Sequence, residues 1–468
     1  MKMLIGGEWK ERPERIAVRN PFDNTLVGEV PAAGVEDVKA AIDGAVQALE
    51  RDFPLHARYD VLVKAASLVD HRQEEYAHTI AHEGSKTIRE ARREPPRAAN
   101  ILRLSAEAGR RLTGETLPFE SRVGSENRVG YYFRFPVGIV SAIIPFNDPL
   151  ALAAHNIGPA IAAGNSIVLK PSALTPLSVL MLAHDLMDAG LPKGRLSVVT
   201  GRGSELGEAM VSDPRVRVVT FTGGVDVGLQ ISRWVGIKKV IMELGSNSPV
   251  IVMDDADLDR AVPAIAAGAF AQAGENCLGV QRILVHERVY DGFRDRFVKH
   301  VAGLKAGHSM SEDVDVCAML TEKEARRVES WVKEAVEKGA RILTGGRREG
   351  AVLWPAVLED VPGGVRIDCE EVYGPVVSLY RVASLDEAIK RANRVDYGLH
   401  AAIFTERLDN AFKAVSGLQY GAVIVNDSTD YRLDVMPFGG TKLSGVGRQG
   451  IWSMIQEMTE TRVVCFSL

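Results

Sequence analysis

Apolar runs with strand character alternate along the chain with helical patterns. Residues 137–144 read as a buried strand, and an Ala-rich helical stretch follows to Gly164. Residues 166–170 read as the next strand, with a helix from about Pro176 to Gly190. Residues 196–200, 218–221 and 239–243 complete a first series. Near-continuous Val/Ile strands separated by helices of crossover length predict a parallel sheet covered on both faces. A second series follows Gly245. It has a strand at 249–253, an Ala/Gly-rich helix from about Leu258 to Ala273, and a strand at 281–285. Capping-box signatures at 321–324 and 384–387 open two further helices. Two α/β units in series are expected, with a boundary near Gly245. Residues 128–135 alternate like an exposed hairpin arm, and 461–466 read as a lone C-terminal strand in need of a partner edge.

Composition narrows the class. At 468 residues the chain has room for about three domain-sized units. Lys and Arg total 56 against 61 Asp and Glu, a net charge of −5, which excludes the basic footprint of a nucleic-acid binder. The four cysteines (277, 317, 369 and 465) lie far apart, without C-x-x-C or zinc-ligand spacing, so neither a metal site nor a disulfide framework is expected. Free thiols suit a reducing compartment. The first residues carry charge almost at once, and no apolar run approaches about 18 residues. A cytoplasmic protein without a membrane span is expected.

Several residues could carry chemistry. Cys277 sits in Gly-Glu-Asn-Cys-Leu-Gly at 274–279, where flanking glycines would present a thiol with little cover. Glu243 ends an apolar strand, which is where a carboxyl gains a raised pKa and can serve as a general base. Asn147, on a turn between Pro145 and Pro149, could donate to an oxyanion. Gly-rich turns at 200–207 and 221–228 follow strands, where amides and a helix start could meet phosphate. Lys170, at a strand end, suits a ribose or phosphate. Each has a plain alternative: a buried structural thiol, a strand-end carboxylate reaching solvent, an ordinary Asn turn, helix–sheet packing, a snorkelling lysine.

Together these fragments resemble the aldehyde dehydrogenase superfamily over essentially the whole chain. Pro145-Phe-Asn147, Val168-Leu-Lys-Pro-Ser172, Phe221-Thr-Gly-Gly224, Glu243-Leu-Gly245, Gly274-Glu-Asn-Cys277, Glu371-Val-Tyr-Gly-Pro375, Pro437-Phe-Gly-Gly440 and residues 442–448 stand in the family's order. The resemblance implies an α/β fold of two doubly wound parallel-sheet domains plus a small β oligomerisation element. The cofactor-binding domain would span 1–111 and 137–243, the catalytic domain 244–425, and the oligomerisation arm 112–136 and 450–468. A homodimer or homotetramer is implied, its C-terminal strand extending a neighbour's sheet.

The resemblance also implies roles. Cys277 would attack an aldehyde, Asn147 and the Cys277 N–H would hold the oxyanion, and Glu243 would activate water against a thioester. Ile144, Lys170, Ser172, Gly203, Gly207, Thr222, Gly223, Gly224, Leu244, Glu371 and Tyr373 would bind NADP or NAD. Ala173 stands where NAD-selective relatives often carry a glutamate, so NADP should be accepted, with Arg202 as a further clamp. Departures from the family pattern are Glu275, whose charge would raise the thiol's pKa, Ser246, which would limit the swing of Glu243, Asn156 and Gln449. Asp148, Ala151, His155 and Arg432, with Phe438, fall at tunnel positions and imply a small polar or anionic aldehyde. The surrounding motifs are similar to lactaldehyde- and phosphonoacetaldehyde-type members, with glyceraldehyde and succinic semialdehyde also open. The alternatives are a coenzyme A-acylating relative, which Glu243 argues against, and a catalytically silent member of the fold.

Overall fold

A computed structural model describes residues 1–468. Its first sheet has eight strands in the order Glu8–Lys10, Met3–Ile5, Leu196–Val198, Ser166–Lys170, Ile139–Ile143, Val216–Thr222, Lys239–Glu243 and Gly445–Val446. The five expected strands pair in parallel. Alternation sends their side chains to two cores: Val140, Ala142, Ile167 and Leu169 enter one, and Ile139, Ile143 and Val168 the other. The sheet also recruits both ends of the chain. An antiparallel N-terminal hairpin lies on one side, and Gly445–Val446 pairs antiparallel with Met242 and Glu243 on the other. Gly445 permits that approach, because its φ is +146° and a Cβ would lie 2.2 Å from the Met242 carbonyl oxygen.

A second sheet of seven strands follows: Arg341–Thr344, Ala356–Glu359, Val376–Val382, Val280–His286, Ser248–Val252, His400–Phe404 and Ala422–Val425. All pairings are parallel except the Arg341–Thr344 edge. Its core is separate from those of the first sheet. Glu243 closes the last parallel strand of one sheet and Ser248 opens the other, so the expected change of unit near Gly245 coincides with the change of sheet. Both capping signatures form N-caps, through Thr321 and Ser384.

The two outlying segments pair with each other. The C-terminal strand is not lone: Thr459–Ser467 pairs antiparallel with Arg128–Pro136 of the same chain, from Thr459↔Pro136 to Ser467↔Arg128. Its partner edge therefore comes from its own chain. Within the segment 450–468, Ile451–Glu457 is a helix whose Ile451, Met454 and Ile455 join the core of the first sheet. No helix is long and apolar enough to cross a membrane.

Candidate active site

The strand ends of the first sheet face the second unit across a cavity of about 1010 Å³. Asn147, Glu243 and Cys277 all line it. Asn147 sits between the strand Ile139–Ile143 and the helix Pro149–Ala162, buried, with Oδ1 lacking a protein partner. Glu243 is held by register: its carbonyl accepts from the Gly223 N–H at 3.0 Å, and the side chain is 2% exposed. Neither carboxyl oxygen has a hydrogen-bond partner. Burial pushes its pKa well above the usual carboxylate range, opposed by Arg432 and Arg448.

Cys277 is presented by an unusual turn. The helix Leu258–Phe270 ends, and Gln272, Ala273 and Gly274 take left-handed φ values of 55°, 54° and 72°. Two consecutive non-glycine residues there cost roughly 1–2 kcal/mol each. Contacts offset the cost. The Gln272 N–H donates to Glu90 Oε1 at 2.9 Å, and its Nε2 to Asp148 Oδ1 at 3.1 Å. Gly274 is needed because a Cβ would lie 2.3 Å from the Gly374 carbonyl. The thiol packs against Leu278, Leu399 and Phe438. Burial pushes its pKa up to about 12; Glu371 and Glu243 add to the rise and Arg432 opposes it. The free protein should therefore show Cys277 alkylation rising about tenfold per unit between pH 8 and 10, since only the thiolate reacts. Iodoacetamide kinetics with mass-spectrometric site assignment checks this, and a plateau already reached below pH 8 would contradict it.

One departure acts otherwise than the sequence suggested. The Glu275 carboxyl turns away to accept from the Leu320 N–H at 2.9 Å, so the carboxylates that raise the thiol are Glu371, Glu243 and Asp148 instead. The Ser246 hydroxyl bonds Ser248 Oγ at 2.7 Å. Asn156 accepts from the Thr220 hydroxyl at 2.6 Å, and Gln449 Nε2 donates to Thr222 Oγ1 at 3.1 Å.

Of the expected cofactor residues, Ile144, Lys170, Ser172, Gly203, Thr222, Gly223, Gly224, Leu244, Glu371 and Tyr373 line the cavity. Gly207 does not; it lies inside the helix Gly203–Ser212, facing Trp234. Arg202 points elsewhere, toward Glu14 and Glu205 at 3.3 Å each. Lys170 is buried without a carboxylate, its Nζ donating to the Pro171 and Gly201 carbonyls, and burial pulls its pKa down to about 8. Gly224 caps the helix Val225–Trp234 with open space where a Cβ would stand. An unpaired buried ammonium and an uncovered helix start lining one cavity fit a phosphorylated dinucleotide. Glu371 accepts from the Ser246 N–H at 2.8 Å, and Tyr373 packs edge-on against Phe146.

At the other end Arg432 and Phe438 line the cavity, the guanidinium 3.7 Å over the Phe438 ring. His155 and Ala151, expected at tunnel positions, stand behind the wall. The His155 Nε2 lies 3.3 Å from Arg432 Nη2, and the Ala151 N–H donates to Glu94. The sequence reading missed Lys86, Glu94, Arg97 and Asp434, which join Asp148 in a buried ionic chain along this wall. Their signal was faint: Glu94 and Arg97, three apart on an Ala-rich helix.

Comparison with known proteins agrees with this geometry. The sequence model described as the aldehyde dehydrogenase family matches residues 9–464. A 3-sulfolactaldehyde dehydrogenase of Priestia aryabhattai is 45% identical over 466 residues, covering 100% of this chain and 98% of its own. The crystal structure of aldehyde dehydrogenase 21 from Physcomitrella patens, in complex with the reaction product succinate, matches with a TM-score of 0.97 and 38% identity, covering 100% and 98% of the two chains. An NADP-dependent glyceraldehyde-3-phosphate dehydrogenase from Bacillus halodurans, complexed with NADP, gives a TM-score of 0.97 and 38% identity over 100% and 99%. With its motifs, sheets and cavity all in that pattern, the chain belongs to the aldehyde dehydrogenase family.

Proposed function

We propose that the chain oxidises a small anionic aldehyde to its carboxylic acid with NADP or NAD. The observation that carries this reading is Arg432, half-buried in the same cavity as Cys277, Glu243 and Asn147, its Nε buried without a partner and no carboxylate within ion-pairing distance. A buried cation without a counter-ion is costly, and an anionic ligand relieves that cost. The named activities of the relatives, on sulfolactaldehyde and glyceraldehyde 3-phosphate, and the bound succinate support the same class.

The Cys277 sulfur adds to the aldehyde carbon as thiolate, and the oxyanion is met by the Asn147 side-chain amide and the Cys277 N–H. A bound NADP or NAD supplies the hydride acceptor. Loss of hydride from the former aldehyde carbon leaves a thioester on Cys277. Glu243 takes a proton from water, the resulting hydroxide adds to the thioester carbon, and the thiolate departs as the acid forms. Lys170, Ser172 and Gly224 would hold the dinucleotide phosphates and adenosine ribose, and Glu371 the nicotinamide ribose. In this reading the first sheet carries the cofactor, the second carries the nucleophile, and Val463, Phe466 and Leu468, exposed on the C-terminal strand and tail, meet a second copy of the chain.

Steady-state kinetics on paired aldehydes tests the assignment. Arg432→Gln should lower kcat/KM for succinic semialdehyde by about 10²-fold, chiefly through KM, while a neutral aldehyde of similar length loses no more than about fivefold. Equal losses for both would remove Arg432 from substrate recognition. Unchanged turnover on adding coenzyme A, with free acid as product, separates this reaction from acyl transfer.

A further inference from the structure

The wall beside Arg432 is a chain of alternating charge. Lys86 is shared by Glu94 and Asp148. Arg97 is shared by Asp148, 3.3 Å from its Nη1, and by Asp434, to which Nε and Nη2 both donate at 2.9–3.2 Å. His155 comes next, with Nε2 3.4 Å from Asp434 Oδ1 and 3.3 Å from Arg432 Nη2. Burial pushes the His155 pKa down to about 4, so it stands neutral between them. The carboxylates of Glu94, Asp148 and Asp434 thus face the cations Lys86, Arg97 and Arg432. Lys86 and Arg97 are each held by two carboxylates, and Arg432 alone is left to offer its charge.

We infer that Asp434 is a specificity-determining residue: by keeping Arg97 occupied it limits the distal group of the substrate to one negative charge, a carboxylate or sulfonate, and disfavours the dianionic phosphate monoester. This rests on the anionic-aldehyde reading above and narrows it. A single anionic charge is met by Arg432. Along this wall a second charge meets Arg97, whose Nε, Nη1 and Nη2 already donate to Asp434 and Asp148, and a buried charge left without a partner is strongly unfavourable. A phosphate monoester carries about −1.5 to −2 at neutral pH, so it brings that second charge.

Titration calorimetry at neutral pH with succinate and 3-phosphoglycerate, the acids that a carboxylate-bearing and a phosphate-bearing aldehyde would yield, tests this without turnover. The wild type should bind succinate at least about tenfold more tightly than 3-phosphoglycerate. Asp434→Asn frees Arg97 and should tighten 3-phosphoglycerate about tenfold while leaving succinate within about threefold; adding Arg97→Gln should cancel the gain. Equal affinities in the wild type would overturn the inference, as would a gain in Asp434→Asn shared equally by both acids. If that variant fails to fold, the wild-type ratio decides. Oxidation of succinic semialdehyde by the wild type is scored separately. Its absence sinks the proposed function, whereas oxidation without the affinity ratio sinks only the charge limit.

Discussion

Cys277→Ala should abolish aldehyde oxidation, lowering kcat/KM by at least about 10⁴-fold, with dinucleotide binding unchanged. The size of the effect follows from the lack of any substitute. Cys317 is buried outside the cavity, and Cys369 and Cys465 are exposed elsewhere. No other side chain in the cavity combines a sulfur nucleophile with a neighbouring cation such as Arg432. The substitution itself is structurally mild. The thiol touches a small apolar cluster, while the left-handed turn before it is held by Glu90 and Asp148 through Gln272, contacts that alanine leaves intact. Thermal shift with NADP and initial rates measured on the same preparation check both halves. Residual oxidation above about one-hundredth of wild type would move the nucleophile elsewhere.

Glu243→Gln should separate the two halves of the reaction. About one equivalent of reduced dinucleotide per site should appear in a burst, followed by a steady rate about 10²–10³-fold below wild type. The side chain is isosteric, so the cavity keeps its shape, but an amide cannot take a proton from water. The carboxyl is suited to that task because burial raises its pKa and neither oxygen is committed to a hydrogen bond. Only its ionised form is a base, so wild-type hydrolysis should fall as pH drops through that raised pKa, and the variant should lose this dependence. Stopped-flow absorbance across pH follows both effects.

How much of this was legible in the sequence depends on chain separation. The five parallel strands were readable because each is an apolar run, whereas Asn147, Glu243 and Cys277 stood out only through the ordered motifs that resemble the family. The strand at Gly445–Val446 is too short to carry a period, yet it pairs with Glu243 itself. The partner of the C-terminal strand lies more than 300 residues away, and pairing across that distance leaves no local mark. The same holds for Arg97 and Asp434, whose ion pair joins a helix to a distant loop. Side-chain direction was the other gap. Letters alone placed His155 in the tunnel and aimed Glu275 at the thiol, but packing sends the first behind Arg432 and the second to the Leu320 amide.

Intact-mass spectrometry of Glu243→Gln, quenched in acid within the burst after mixing with succinic semialdehyde and NADP, is the most direct measurement. A covalent adduct of the aldehyde less two hydrogens, mapped to Cys277 by peptide digestion and absent from Cys277→Ala, is the expected result. An unmodified protein, or an adduct on any other residue, would contradict a thioester on this sulfur.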